Sequence, residues 1–218
     1  MHQIFKVYFI NYNFIMNNFN TLIIGGSAAG LSCALILGSA LKRPYAIDKK
    51  IGIITHQKSS ALKKAELNNV LGFKKGTKGE AILKFGLEQL SEDYPNILQI
   101  EKEKVIKIEG VYPNYTVATN KNSYKTKNIV VAVGPSNLFN IEGLNKFVQP
   151  HIGLPARKER IMLSNINHLV TKGVYVAGVL AGWRSQFAIA AGSGAQVATE
   201  ILTLWNDGNH TMIHDTIQ

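Results

Sequence analysis

The chain has 218 residues, enough to bury a substantial core, and its 46% hydrophobic and 17% charged content excludes a disordered polypeptide. One cysteine, Cys33, excludes an intrachain disulfide, a C-x-x-C redox pair and a zinc knuckle, and it suits a reducing compartment, so a cytoplasmic protein is expected. With 24 Lys+Arg against 14 Asp+Glu the net charge is +10, which favours anionic partners, but the basic residues are dispersed as pairs and singles, as on a solvated face.

The opening "MHQIFKVYFINYNFIMNNFN" mixes apolar residues with Lys6, Asn11 and Asn13 and lacks a small-residue cleavage site. Residues 1–18 are read as an extension outside the fold, with Met16 just ahead of the first convincing strand. An exported or surface-attached protein is the alternative. No apolar run reaches the ~18–20 residues that span a bilayer, so no membrane contact is expected.

"NTLII" (20–24) reads as a short buried strand, "GGSAAG" as a glycine-rich turn, and residues from Ala28 to Leu41 as a helix of small side chains. "PYAID" (44–48) reads as a second strand ending in an acid. Strand, glycine turn, helix, strand is the first βαβ unit of a parallel sheet, which makes the class α/β. In this turn Gly25 permits the sharp exit from the strand, and Gly30 lets the helix pack closely on the sheet. The free amides at the helix start suit a pyrophosphate. Ser27 takes the middle glycine's place, and its hydroxyl is a possible phosphate donor. Asp48 follows Gly25 by 23 residues, near the ~20 expected of an acid that bonds a ribose hydroxyl; a loop acid at a strand end is the plain alternative. A strand–helix turn without ligand also remains open, since the glycine pattern alone is unspecific.

Further along, Ala81, Ile82, Phe85, Leu87 and Leu90 have helical spacing, with Glu80 near the helix start. "ILQIEKEKVIKIEG" and "YTVATN" read as alternating strands joined by the turn "VYPNY". "NIVVAVG" (128–134) and "GVYVAG" (173–178) are continuous apolar strands of the buried type. A small-residue helix comes next, from Ser185 to Trp205. Residues 19–206 are read as one domain and 207–218 as a polar tail.

Four segments taken in order, the glycine turn, "NNVLGFKKGTKGEAILKFGLEQL", "NIVVAVGPSN" and "GVYVAGVLAGWRSQFAIAAGSGAQVATEIL", resemble the FAD domain of the thioredoxin reductase-like branch of the pyridine nucleotide–disulfide oxidoreductases. The resemblance implies a single FAD/NAD(P)-binding Rossmann-like domain. Its central parallel sheet would carry helices on one face and a small antiparallel β-meander on the other. It implies non-covalent FAD, with Gly25, Gly26, Ser27, Ala28 and Gly30 at the pyrophosphate and Asp48 at the adenosine ribose. Gly134 would pack beside the cofactor, Gly178 near the ribityl chain, and Gln186, Phe187 and Ala188 would bring amides to the flavin ring. The chain departs from the family at three points. Val179 stands where an Asp is usual; only residues 135–173 separate the two strands between which the family inserts its NADPH domain; and the cysteine pair is missing.

The function expected is therefore that of a small FAD-dependent oxidoreductase serving a small-molecule or protein acceptor, with NAD(P)H as a diffusible reductant and a homodimer as the family's habit. Two alternatives stand beside it. One is a non-redox flavin module in tRNA modification, on a looser likeness to the glucose-inhibited division protein A family. The other is the flavin subunit of a two-chain reductase. No catalytic residue is assigned, no metal site is expected, and nucleic acid is not the expected partner. Cys33 reads as a buried thiol. Trp183 and Arg184 read either as a cover for the flavin or as a cap on the domain, His151 either as a proton donor or as an ordinary loop residue. His210 and His214 form a helical pair without a third metal ligand.

Overall fold

A computed structural model of the chain describes residues 17–56, 60–211 and 213. The extension expected over residues 1–18 lies outside these apart from Asn17 and Asn18, and so does half of the tail, including His214. Strand β1 (Asn18–Ile24) leads through the glycine turn into helix α1 (Ala28–Ser39), which a short 3-10 turn, Ala40–Lys42, extends. The next strand, β2, is Ile51–Thr55, and not the expected residues 44–48, which form turns closed by Ala46 N–H and Ile47 N–H to the Arg43 carbonyl. Ile51, Ile53 and Ile54 are β-branched and fully buried, which suits a central strand. "PYAID" has a single fully buried side chain, Ala46.

The short strands β3 (Glu66–Leu67) and β4 (Thr77–Lys78) pair ahead of α2 (Gly79–Asp93). The buried face of α2 is Ile82, Leu83, Gly86 and Leu90; Ala81 and Phe85, expected on it, face solvent, Phe85 at 60% exposure. Gly86 is the reason, since it meets Leu31 of α1 with no room to spare and so centres the contact on itself. The segment 97–110, expected as one strand, is two. β5 (Leu98–Glu101) joins the parallel sheet, and after Lys102 in a left-handed turn, β6 (Val105–Val111) leaves it. β6, β7 (Asn114–Thr119) and β8 (Ser123–Val131) form an antiparallel meander. β9 (Val148–Pro150) and β10 (Ile161–Leu163) make a hairpin, β11 (Leu169–Thr171) is an antiparallel edge, and β12 (Val174–Val176) precedes α3 (Phe187–Trp205).

The central sheet runs β11-β12-β8-β1-β2-β5, and every neighbouring pair from β12 to β5 is parallel. Side chains alternate across it. Ile23, Ile53, Val130 and Tyr175 face the helices, while Leu22, Ile54, Ile129 and Val176 face the meander and the β9–β10 hairpin. With both faces covered, the strands read as unbroken apolar runs. α3, although long and apolar enough by composition to cross a membrane, packs along α1, and Val197, Ala198, Ile201 and Leu202 are buried there. Gly194 brings the two helices together, because a side chain there would overlap the Ala29 carbonyl. The architecture is the α/β arrangement expected, helices on one face and meander on the other.

Candidate functional site

In a parallel sheet with helical crossovers, ligands sit outside the carboxyl ends of the strands. Three such ends are held level here. Gly25 N–H donates to the Ile54 carbonyl (2.9 Å), Ala132 N–H to Ile24 (2.8 Å), and Ala177 N–H to Val131 (2.9 Å). Gly25, Gly134 and Gly178 therefore come to one edge, and the start of α1 opens at the same edge.

The glycine turn is built by backbone demands. Gly25 has φ +115°, and a Cβ on it would lie 2.5 Å from the Ala132 carbonyl oxygen, so no other residue fits. A Cβ on Gly30 would overlap the Gly25 carbonyl oxygen. Ser27 is the extended N-cap of α1, but its hydroxyl makes no capping bond; it pairs with the Ser60 hydroxyl at 3.0 Å. Ala28 opens the helix itself. Its N-cap side chain leaves the start of α1 uncapped, and such a helix start attracts an anion. At Gly134 a side chain would meet open space. Small residues, an uncapped helix start and an open strand end fit a dinucleotide pyrophosphate.

Asp48 is not part of this edge. Thr21 of β1 is level with Ile51 and Ile24 with Ile54, so Gly25 stands about 13 Å of strand beyond the level of Ile51. Asp48 precedes Ile51 and lies in the exposed turn entering β2, beside Asn18 and Lys50 at the opposite end of the sheet. At the carboxyl end, β2 closes with Thr55, His56 comes next, and no acid occurs between 55 and 60. The ribose assignment of Asp48 is thereby corrected: its spacing is right, but the strand begins after it.

At the other side of the edge, Gln186 is the extended N-cap of α3, again without a side-chain cap. Gln186 and Ala188 are exposed, and Phe187 packs edge-on against Phe73 at 5.6 Å between ring centroids. Two residues not singled out in the sequence support Gly178. Its N–H donates to Ser193 Oγ at 2.7 Å, and buried His168 donates from Nδ1 to the Val176 carbonyl at 2.9 Å, close to the same hydroxyl. Trp183 stacks on the His168 ring at 5.9 Å. No local pattern announces His168; it lies in the "NINHLV" turn with φ +71°. Trp183 and Arg184 sit in the turn ahead of α3, and His151 is buried against that turn with both ring nitrogens bonded to backbone. Cys33 is fully buried on α1, and burial pushes its thiol well above the ordinary range, so it is inert at neutral pH. Among the described residues no cluster of His, Cys, Asp or Glu side chains is placed to hold a metal.

Residues 19–194 match the profile of the family described as pyridine nucleotide-disulphide oxidoreductase. An uncharacterized oxidoreductase of Bacillus velezensis, CzcO, is 25% identical over 199 residues, covering 84% of this chain and 52% of that protein. The protein of the same name from Bacillus subtilis is 25% identical over 197 residues, with the same coverage. The chain thus spans about half the length of the curated relatives it matches. Among solved structures, a thioredoxin reductase from Gloeobacter violaceus superposes with a TM-score of 0.69 at 13% identity, over 95% of this chain and 99% of that one. A ferredoxin-flavin thioredoxin reductase from Clostridium acetobutylicum does so with a TM-score of 0.64 at 16% identity, over 88% of this chain and 99% of that one. At such identities the likeness is one of fold.

Proposed function

Because the chain belongs to the pyridine nucleotide-disulphide oxidoreductase family, we propose that it is a flavin-dependent oxidoreductase that holds FAD without a covalent link and serves a small-molecule or protein electron acceptor. The observation that carries this reading is the glycine turn Gly25–Gly30 at the carboxyl edge of the sheet, with the uncapped start of α1 behind it. When bound, FAD supplies the redox centre. The chain's own part is to bind and orient it. Gly25, Gly26, Ser27 and Ala28 present the pyrophosphate site, Gly134 and Gly178 line the edge, and Gln186, Phe187 and Ala188 open α3 toward the flavin ring. A helix start beside a flavin favours negative charge on the ring by about 0.3–2 kcal/mol. The ribose hydroxyls have no carboxylate partner in this reading, and Val179 offers none to the ribityl chain.

The sole cysteine is buried on α1, so the chain brings no dithiol of its own, and reducing equivalents come from a diffusible NAD(P)H. A second reading, the flavin subunit of a two-chain reductase, is favoured by one observation: the only strands in the connection from β8 to β12 are the short β9, β10 and β11. The test of the common core is FAD uptake. Protein stripped of small molecules and mixed with excess FAD should quench flavin fluorescence and carry an equimolar amount through gel filtration. A folded protein that carries none refutes the proposal.

A further inference from the structure

We propose that His151 is a positioning residue for the cofactor edge: through the Val179 carbonyl it fixes the turn Gly178–Gly182 in the shape this edge presents. The inference rests on the FAD reading above for its purpose, and on the contacts of the turn for its substance.

Position 179 carries a valine, so the turn after β12 has no side-chain oxygen to offer there and acts through its backbone. That backbone is a 3-10 turn, Gly178–Ala181, bounded by Gly178 at φ +75° and Gly182 at φ +93°. Glycines at both ends make its shape cheap to change, so contacts from outside determine it. On one side Ser193 of α3 accepts the Gly178 N–H. On the other side stands the β9–β10 hairpin, in the connection from β8 to β12.

His151 leads out of β9 and is only 7% exposed. Gly153 N–H donates to its Nδ1 at 3.0 Å, so Nδ1 carries a lone pair and the proton resides on Nε2. Nε2–H donates to the Val179 carbonyl at 2.8 Å. The same carbonyl takes the Gly182 N–H at 3.0 Å, the bond that closes the turn. A second tie runs the other way, from Arg184 Nη1 to the Gly153 carbonyl at 3.2 Å. The hairpin and turn also touch: a Cβ added to Gly182 would lie 3.0 Å from Met162 Cε. His151 therefore has no free nitrogen with which to protonate a ligand. The Nδ1 bond orders its own loop, and the Nε2 bond joins that loop to the turn.

The test uses three substitutions that separate the two bonds. In His151→Gln the side-chain amide reaches the position of Nε2 and still donates to Val179. In His151→Asn the amide oxygen stands near Nδ1, still accepts from Gly153 and falls short of Val179; His151→Ala loses both. All are made in a Trp205→Phe background, where Trp183, one residue beyond the turn, is the sole tryptophan. Loss of one hydrogen bond supports roughly a two- to tenfold effect. FAD dissociation constants should rise by about that factor in the Ala and Asn variants and stay near the parent value in Gln. Trp183 emission of the FAD-free protein should shift in Ala and Asn and not in Gln. An Asn variant that matches the parent in both readouts overturns the proposal, as does a series that loses thermal stability with neither readout changed. If the parent takes up no FAD, the cofactor reading fails by itself. The Trp183 series still decides whether His151 holds the turn, a flat series refuting it.

Discussion

Gly25 and Gly30 impose steric demands that a sequence displays openly, because the requirement is local: a left-handed residue and a close approach between the turn and its own helix. The contrast with Gly134 gives a test. Gly30→Ala forces a methyl into the Gly25 carbonyl, and overpacking of this kind costs about 1–3 kcal/mol. Gly134→Ala meets open space and should leave stability within about 0.5 kcal/mol. If Gly134 lines the cofactor, the alanine should nevertheless weaken FAD uptake, so denaturation midpoints and FAD titration will separate the two variants. An unchanged FAD affinity in Gly134→Ala would remove that residue from the site. Asp48 shows the opposite case at this scale. Counting residues from a glycine finds an acid, but only the start of β2 decides which end of the sheet the acid occupies.

Among elements, the apolar runs of β1, β8 and β12 and the small-residue helices were legible because burial on both faces leaves a continuous pattern. Two features were not. The face of α2 turned by one residue toward Gly86, since a residue with no side chain can be the point of closest approach. The division of 97–110 into β5 and β6 turns on Lys102 and on buried Glu103, which alternation alone does not reveal. Glu103 sits at the corner of the meander and accepts bonds from Thr119 Oγ1 (2.6 Å), Asn122 Nδ2 (2.6 Å) and Tyr124 OH (3.0 Å). Burial alone would raise its pKa; the three donors and nearby Lys121 outweigh that and hold it below the ordinary carboxylate range. Burial, with the Glu103 charge, pushes the Tyr124 hydroxyl up to about 12. The signs are set by linkage. The Glu103 contribution is present above the unfolded value of about 4.3 and lost as pH falls through the lower folded value. The Tyr124 contribution is present below about 10 and lost as pH rises toward the folded value. Glu103→Gln adds two amide protons where a carboxylate accepted, and should cost about 1–3 kcal/mol at neutral pH. Denaturation midpoints across acid pH should then show a flatter fall than in the parent. An equally steep fall would show that Glu103 does not govern the acid limb.

At the scale of the whole molecule, sheet order, helical face and meander combine into one edge where Gly25, Gly134 and Gly178 meet, within the residues 19–194 that match the family. Sequence order foretold this edge, since four segments occur in the family's succession. It did not foretell the contact between the β9–β10 hairpin and the turn after β12, because His151 and Val179 are 28 residues apart and the bond runs to a backbone carbonyl, which no side-chain pattern announces. The electron donor is the property that most distinguishes the two readings. Whether the chain is a flavin oxidoreductase is decided by the visible absorption spectrum of the FAD-loaded protein, monitored anaerobically through additions of NADH and then NADPH. The loaded protein should show the bands of a bound oxidised flavin, and at least one of the two nucleotides should bleach them. A flavin spectrum that neither nucleotide bleaches contradicts a self-sufficient oxidoreductase and favours the two-chain reading, and a folded protein that shows no flavin bands after loading is not a flavoprotein.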